Sequence, residues 1–135
     1  MVALNKQLVI YLYSDLEKEE LNLQATVDLN KAALVLKLLG DTTRLTMVKI
    51  LDTHDCCVCE FVEIFKVSQP SISQHLRKLR DVGLIEEERK GQWIFYSINK
   101  ANEYYPFVES VLKQLPSQDE KIQALTDEGT RIICC

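Results

Sequence analysis

Three thiols sit within four consecutive positions, Cys56, Cys57 and Cys59, and shortly after them comes Ser68-Gln69-Pro70-Ser71-Ile72-Ser73-Gln74-His75-Leu76. Thiolates are soft donors, so a sulfur cluster with scarcely a histidine beside it points to As(III), Sb(III), Cd(II) or Pb(II) before Ni(II) or Co(II). Short polar side chains at the start of a helix can bond to base edges in a major groove. The two stretches together set a soft-ion site beside a DNA-reading element. Five cysteines is an odd number, and Cys56-Cys57 and Cys134-Cys135 are vicinal pairs, a poor framework for a disulfide-stapled secreted domain. Reduced thiols that bind or react are expected, and with them a cytoplasmic protein. That location also fits a start, Met1 to Gln7, without a leader pattern, and a chain without an apolar run of membrane-spanning length.

The elements that must hold these residues can be read from periodicity. Leu8, Tyr11, Leu12 and Leu16 recur at helical spacing, and a second run puts Leu34, Leu38 and Leu39 on one stripe. Asp41 is placed to cap a third helix whose apolar side is Leu45, Val48, Ile50 and Leu51. A short helix is expected from about Val58 to Phe65, then a tight turn at Lys66 to Ser68. The next helix starts at Gln69-Pro70, since proline is tolerated in a first turn. There Ile72, Leu76 and Leu79 face inward, and Ser71, Ser73, Gln74, Arg77, Lys78 and Arg80 lie around the other side. Gly83 offers a C-terminal cap, and Leu84 to Arg89 and Trp93 to Ile98 read as strands flanking Lys90-Gly91-Gln92. A last helix is expected from about Lys100 to Leu115, and beyond Pro116 a polar tail without assignable structure.

This order is a mainly α fold with a small β-hairpin, a winged helix-turn-helix. It divides into an N-terminal helical arm (1–32), the DNA-binding and dimerisation domain (33–115) and a tail carrying the vicinal cysteines (116–135). Gln69, Ser71, Ser73, Gln74 and His75 are the candidates for base contacts, and Arg77, Lys78, Arg89 and Lys90 for phosphates. The blander possibility is an ordinary solvated helix face. Net charge is −4, yet between Lys66 and Lys100 seven basic residues face four acidic ones, which permits a DNA-binding middle between acidic ends.

Four segments resemble the ArsR/SmtB family of bacterial metal-responsive repressors, over roughly Ala33 to Leu115. Leu39-Gly40-Asp41-Thr42-Thr43-Arg44-Leu45 is similar to the family's helix-start signature, and Asp55-Cys56-Cys57-Val58-Cys59-Glu60-Phe61 to its metal box. Ser68 to Leu79 is similar to its recognition helix, and Arg89-Lys90-Gly91 with Tyr96 to its wing. The resemblance implies a homodimer, paired through the N-terminal and last helices, that represses its own operon until a metal or metalloid releases it from an inverted-repeat operator.

It also implies that Cys57 and Cys59 bind one ion. At i, i+2 they point apart on a regular helix, whereas Cys56 and Cys59 at i, i+3 can share a face. Serving Cys57 and Cys59 therefore requires Cys57 at or before the helix start, or an unwound first turn. A helix N-terminus would lower thiol pKa and supply thiolate near neutral pH. The third cysteine that some arsenic-responsive members carry three residues after the pair is Val62 here. Cys56, or Cys134 or Cys135 from the tail of the same or the partner chain, is left to complete the site. Family zinc sensors use Asp, His and Glu side chains on the last helix, and no histidine follows His75 in this chain. His75 is expected to pack or to touch DNA, and His54 to be a solvated turn residue or a fourth ligand.

Two other readings stay open. Within transcription, the same thiols could sense oxidants or persulfides by forming a disulfide. Outside it, the chain could carry ions as a metallochaperone. An enzyme is disfavoured, since no Cys-His-acid constellation, glycine-rich phosphate loop or serine nucleophile motif occurs.

Overall fold

In the computed structural model, residues 27–131 are described; the expected helix around Leu8 to Leu16 and the thiols Cys134 and Cys135 lie outside them. The elements are α1 (Leu29–Leu39), α2 (Thr42–Leu51), β1 (Cys56–Cys57), α3 (Val58–Phe65), α4 (Gln69–Asp81), β2 (Ile85–Lys90), β3 (Trp93–Ile98), α5 (Tyr105–Leu112) and α6 (Asp119–Asp127). This is a winged helix-turn-helix: α3 and α4 form the helix-turn-helix and β2–β3 the wing. No helix among the described residues is long and apolar enough to cross a membrane.

Local chemistry accounts for most of the boundaries. The Asp41 carboxylate accepts the Arg44 N–H at 3.0 Å and starts α2, and the Ser68 hydroxyl accepts the Ser71 N–H at 3.3 Å to start α4. Helix α4 ends in a Schellman motif. Gly83 N–H bonds Arg80 C=O at 2.8 Å and Leu84 N–H bonds Leu79 C=O at 3.1 Å, with Gly83 at φ +77°. Between α3 and α4 the chain turns through Lys66, which holds φ +54° and caps α3 with its N–H on Val62 C=O. The wing turns at Gly91, φ +63°, as a two-residue hairpin needs.

The core joins Val48 and Met47 of α2, Phe61 of α3 and Ile72, Leu76 and Leu79 of α4 to Ile85 and Ile98 of the wing and Val108 and Leu112 of α5. The helix α1 buries Val35 and Leu39, while Leu34 is 49% exposed. The expected Leu34, Leu38 and Leu39 stripe is thus corrected: the inward face runs through Val35 and Leu39, and Leu34 and Leu36, about 100° to either side of Val35, flank it half-exposed.

Three further departures have physical causes. The hairpin is part of a three-stranded sheet, ordered β1-β3-β2, because Cys56 and Cys57 pair with Tyr96 and Phe95. The last expected helix is shorter, since Asn side chains commit 100–104 to turns: Asn99 Oδ1 accepts the Ala101 N–H at 3.2 Å and Asn102 Oδ1 the Tyr104 N–H at 2.7 Å. The segment read as an unstructured polar tail contains α6, which buries Ile122 and Leu125 and packs on α3. Two apolar side chains one turn apart are a faint periodic signal in an otherwise polar run.

Candidate functional site

The thiols lie where the sheet meets the helix-turn-helix. Cys57 is the last residue of β1 and the N-cap of α3, with extended dihedrals (φ −95°, ψ 168°). An extended N-cap followed by one helical turn brings i and i+2 side chains together, which a regular helix does not. The Cys57 and Cys59 sulfurs are 2.7 Å apart, longer than the roughly 2.05 Å of a disulfide, and both are free thiols. Two sulfurs less than about twice a metal–sulfur bond of roughly 2.3 Å apart can ligate one ion.

Cys57 also fills the Ser/Thr position of a capping box. Its N–H donates to Glu60 Oε1 at 3.0 Å, and the Glu60 N–H points back at its sulfur. Glu60 is fully buried, and its second oxygen is ion-paired with Arg131, which follows α6. Arg131 Nη2 donates to Asp55 C=O at 3.1 Å as well. The stretch after α6 is therefore clamped against the start of α3.

Successive residues of a strand face opposite ways, and Cys56 accordingly turns into the core, wholly buried, beside Tyr96 and Phe61. It does not join the Cys57 and Cys59 sulfurs. Burial, with the Glu60 carboxylate adding to it, pushes the Cys56 thiol up to about 12. Burial and the hydrogen bond with Cys59 also raise Cys57, although the Glu60 N–H opposes the shift. The expectation of a dipole-lowered thiol at Cys57 is thus reversed: desolvation at the N-cap outweighs the helix terminus. Burial thus favours the protonated thiol at Cys57.

On α4, Gln69 and Gln74 are exposed and Ser71 and Ser73 half-buried along the N-terminal half, with Arg77 and Lys78 exposed further on. Arg89 is exposed on the wing, and Lys90 lies with its ammonium 5.5 Å from the Phe95 ring centre. Arg80 is tied to Glu87 of the wing at 3.1 Å, which fixes helix to wing. His75 faces inward: its Nδ1 lies 3.1 Å from Arg44 Nη1, and Arg44 Nε donates to Leu38 C=O at 2.6 Å. Arginine only donates, so Nδ1 accepts and the proton sits on Nε2. Burial lowers the His75 pKa and keeps that neutral form. His54 pairs with Asp119 at the start of α6, Nε2 to Oδ1 3.0 Å, and holds that helix to the thiol loop.

Glu60, Arg131 and the cleft residues Trp93, Ile94 and Thr130 around the two sulfurs were not among the residues picked out from sequence. The Cys57-x-x-Glu60 spacing is the one signal that pointed to Glu60, a capping box with cysteine in place of serine.

A groove-sized polar helix and a wing with Arg89 and Lys90 at its tip, with a thiol pair where the sheet meets the helix-turn-helix, are the arrangement of a winged-helix transcriptional regulator. The family model described as bacterial regulatory protein, arsR family, matches residues 41–87. The arsenical resistance operon repressor of Escherichia coli (strain K12) is 31% identical over 99 residues, covering 73% of this chain and 84% of that protein. The arsenic resistance transcriptional regulator ArsR1 of Pseudomonas putida is 38% identical over 59% of this chain, a match that spans 62% of that protein's length. The solved transcriptional repressor BigR from Xylella fastidiosa superposes with a TM-score of 0.54 at 29% identity, covering 75% of this chain and 98% of BigR. The chain belongs to the ArsR family, whose members regulate transcription and are not enzymes.

Proposed function

We propose that the protein is a repressor that binds an inverted-repeat operator as a homodimer and leaves it when a thiophilic ion binds Cys57 and Cys59, with arsenite or antimonite the inducer this donor set fits best and Cd(II) or Pb(II) next. The convergence of the two sulfurs at 2.7 Å carries this reading. The donors are sulfur only, which suits soft ions and leaves zinc without the mixed Asp, His and Glu set. The relatives that bear arsenical resistance in their names support the same choice.

Release follows from where the sulfurs are attached. Cys57 is paired to Phe95 of the wing, and Cys59 stands in the first turn of α3, which leads through Lys66 to Ser68 into α4. An ion with fixed bond lengths and angles would bridge the two sulfurs, spread them from 2.7 Å and reset α3 against β1. The wing and recognition helix then no longer match one groove spacing. A coupling of about 1 to 3 kcal/mol weakens DNA binding some 5- to 150-fold. Gln69, Ser71, Ser73 and Gln74 read bases in this scheme, Arg77, Lys78, Arg89 and Lys90 hold phosphates, and His75 acts through Arg44.

Fluorescence anisotropy of the reduced protein on its own upstream DNA, titrated in parallel with arsenite, Cd(II), Pb(II) and Zn(II), tests the proposal. Release by arsenite supports it, and release by Cd(II) and Pb(II) alone moves the inducer to the divalent soft metals. Release by diamide or polysulfide but by no ion replaces it with a thiol redox sensor, and absence of specific DNA binding favours a metallochaperone.

A further inference from the structure

The thiol pair rests on a buried carboxylate that ion ligation itself does not use. Both oxygens of Glu60 are engaged: Oε1 accepts the Cys57 N–H at 3.0 Å, and Oε2 is ion-paired with Arg131. A capping-box glutamate at a helix end open to water needs no cation. Buried, the same carboxylate is costly unless it is paired. Arg131 supplies the pair from 71 residues away, and its Nη2 donates to Asp55 C=O at 3.1 Å. One guanidinium therefore fixes the thiol segment at two points, directly at the Asp55 carbonyl and through Glu60 at the Cys57 N–H. The other end of α6 makes a third attachment, Asp119 Oδ1 to His54 Nε2 at 3.0 Å, and between these ends Ile122 and Leu125 are buried as α6 packs on α3. The helix lies as a strap along the loop that carries the sulfurs.

The N-cap is where this strap bears on the ion. Cys57 meets Cys59 because its backbone is extended (φ −95°, ψ 168°) ahead of the first helical turn; on a regular helix i and i+2 diverge. In an ordinary capping box the N-cap side chain helps to hold that geometry by accepting the N–H of the third helical residue. Here that side chain is a ligand, and a sulfur that enters an ion's coordination shell gives up the Glu60 N–H. What then keeps Cys57 extended, besides its pairing with Phe95, is the Glu60 Oε1 bond to its N–H, and Arg131 aims that carboxylate.

Resting on the reading of Cys57 and Cys59 as ligands, we propose that Glu60 and Arg131 are positioning residues for the thiol pair, so that the ion affinity of the site depends on the strap formed by α6 and Arg131. Arginine has no lone pair to offer an ion, so Arg131 acts through the groups it holds.

The test is arsenite titration of the full chain, read by the fluorescence of Trp93, the only tryptophan, which lines the cleft beside the two sulfurs. Arg131→Met keeps an aliphatic stem and removes both attachments. It is expected to raise the arsenite Kd about 10- to 100-fold with the circular dichroism of the folded protein unchanged. Arg131→Lys can still pair with Glu60 and is expected to recover most of the lost affinity. A merely structural arginine would lower the urea midpoint and leave Kd alone, and that result in Arg131→Met would overturn the proposal. Glu60→Gln with Arg131→Met leaves no buried charge unpaired and serves where Arg131→Met does not fold. Because the two residues act as a unit, its affinity is expected to fall by the same factor, and wild-type affinity in it would equally overturn the proposal. A Cys57→Ser, Cys59→Ser protein that binds arsenite as wild type does would overturn the underlying ligand pair. Loss of binding in that thiol variant beside an unchanged Kd in Arg131→Met would overturn the positioning role alone.

Discussion

Adjacent cysteines in this protein have different chemistry because the backbone turns them to opposite sides. Cys56 is a core side chain whose thiol is held up to about 12 by burial, and Cys57 caps a helix and meets Cys59. A thiol with a raised folded-state pKa favours folding below its unfolded pKa, near 9, and that contribution is lost as pH rises through 9 toward 12. Stability measured by urea unfolding is therefore expected to fall above pH 9, with Cys56 supplying up to about 1.4 kcal/mol per pH unit. Cys56→Ala should cost about 1 kcal/mol at pH 7 for the lost packing, flatten the alkaline slope, and leave ion-induced DNA release intact. Loss of release in that variant would make Cys56 a ligand after all. At this scale residue type was legible in the sequence and orientation was not. The spacing left Cys56 and Cys57 as rival partners for Cys59, and only the pairing of β1 with β3, a long-range contact, separates them.

Among the elements, the recognition helix is fixed at both ends and braced in between. Its Schellman end needs Gly83 at φ +77°, and a Cβ there would come within 2.8 Å of Asn102 Nδ2, which itself donates to Gly83 C=O. Gly83→Ala is accordingly expected to destabilise the fold by about 2 kcal/mol, combining the left-handed backbone penalty with the displaced amide; an unchanged urea midpoint would refute this. On the solvent side of the same helix, Arg77→Ala should weaken all DNA sequences alike and lower the salt slope of log K by about one, whereas Gln74→Ala should relax discrimination between operator and random DNA. Titrations at several salt concentrations distinguish the two. The helices α2, α3 and α4 could be read from capping residues and periodicity because those signals are local. Strand β1, two residues long, has no periodic signal, and α6 has one inward pair. Glu60 and Arg131 are 71 residues apart in sequence, so neither announces the other.

At the scale of the molecule, α1 leaves large apolar side chains exposed. Leu29, Leu34 and Leu36 are 82%, 49% and 49% exposed, and the second protomer of the proposed homodimer would cover them. Leu34→Glu with Leu36→Glu is expected to leave the secondary structure in place, convert dimer to monomer in sedimentation velocity, and weaken operator binding at least a hundredfold. A dimer unaffected by both charges would shift the interface elsewhere. In the proposed homodimer small changes would be multiplied, since an ion that mis-sets each recognition helix would disturb both half-sites at once. The central claim is that the ion acts through the Cys57 and Cys59 sulfurs. It is tested most directly by the operator affinity of a Cys57→Ser, Cys59→Ser protein with and without saturating arsenite, beside wild type. Both proteins are expected to bind equally without arsenite, with a 5- to 150-fold loss on adding it for wild type alone. Arsenite release of the double variant, to the same extent as wild type, would contradict it.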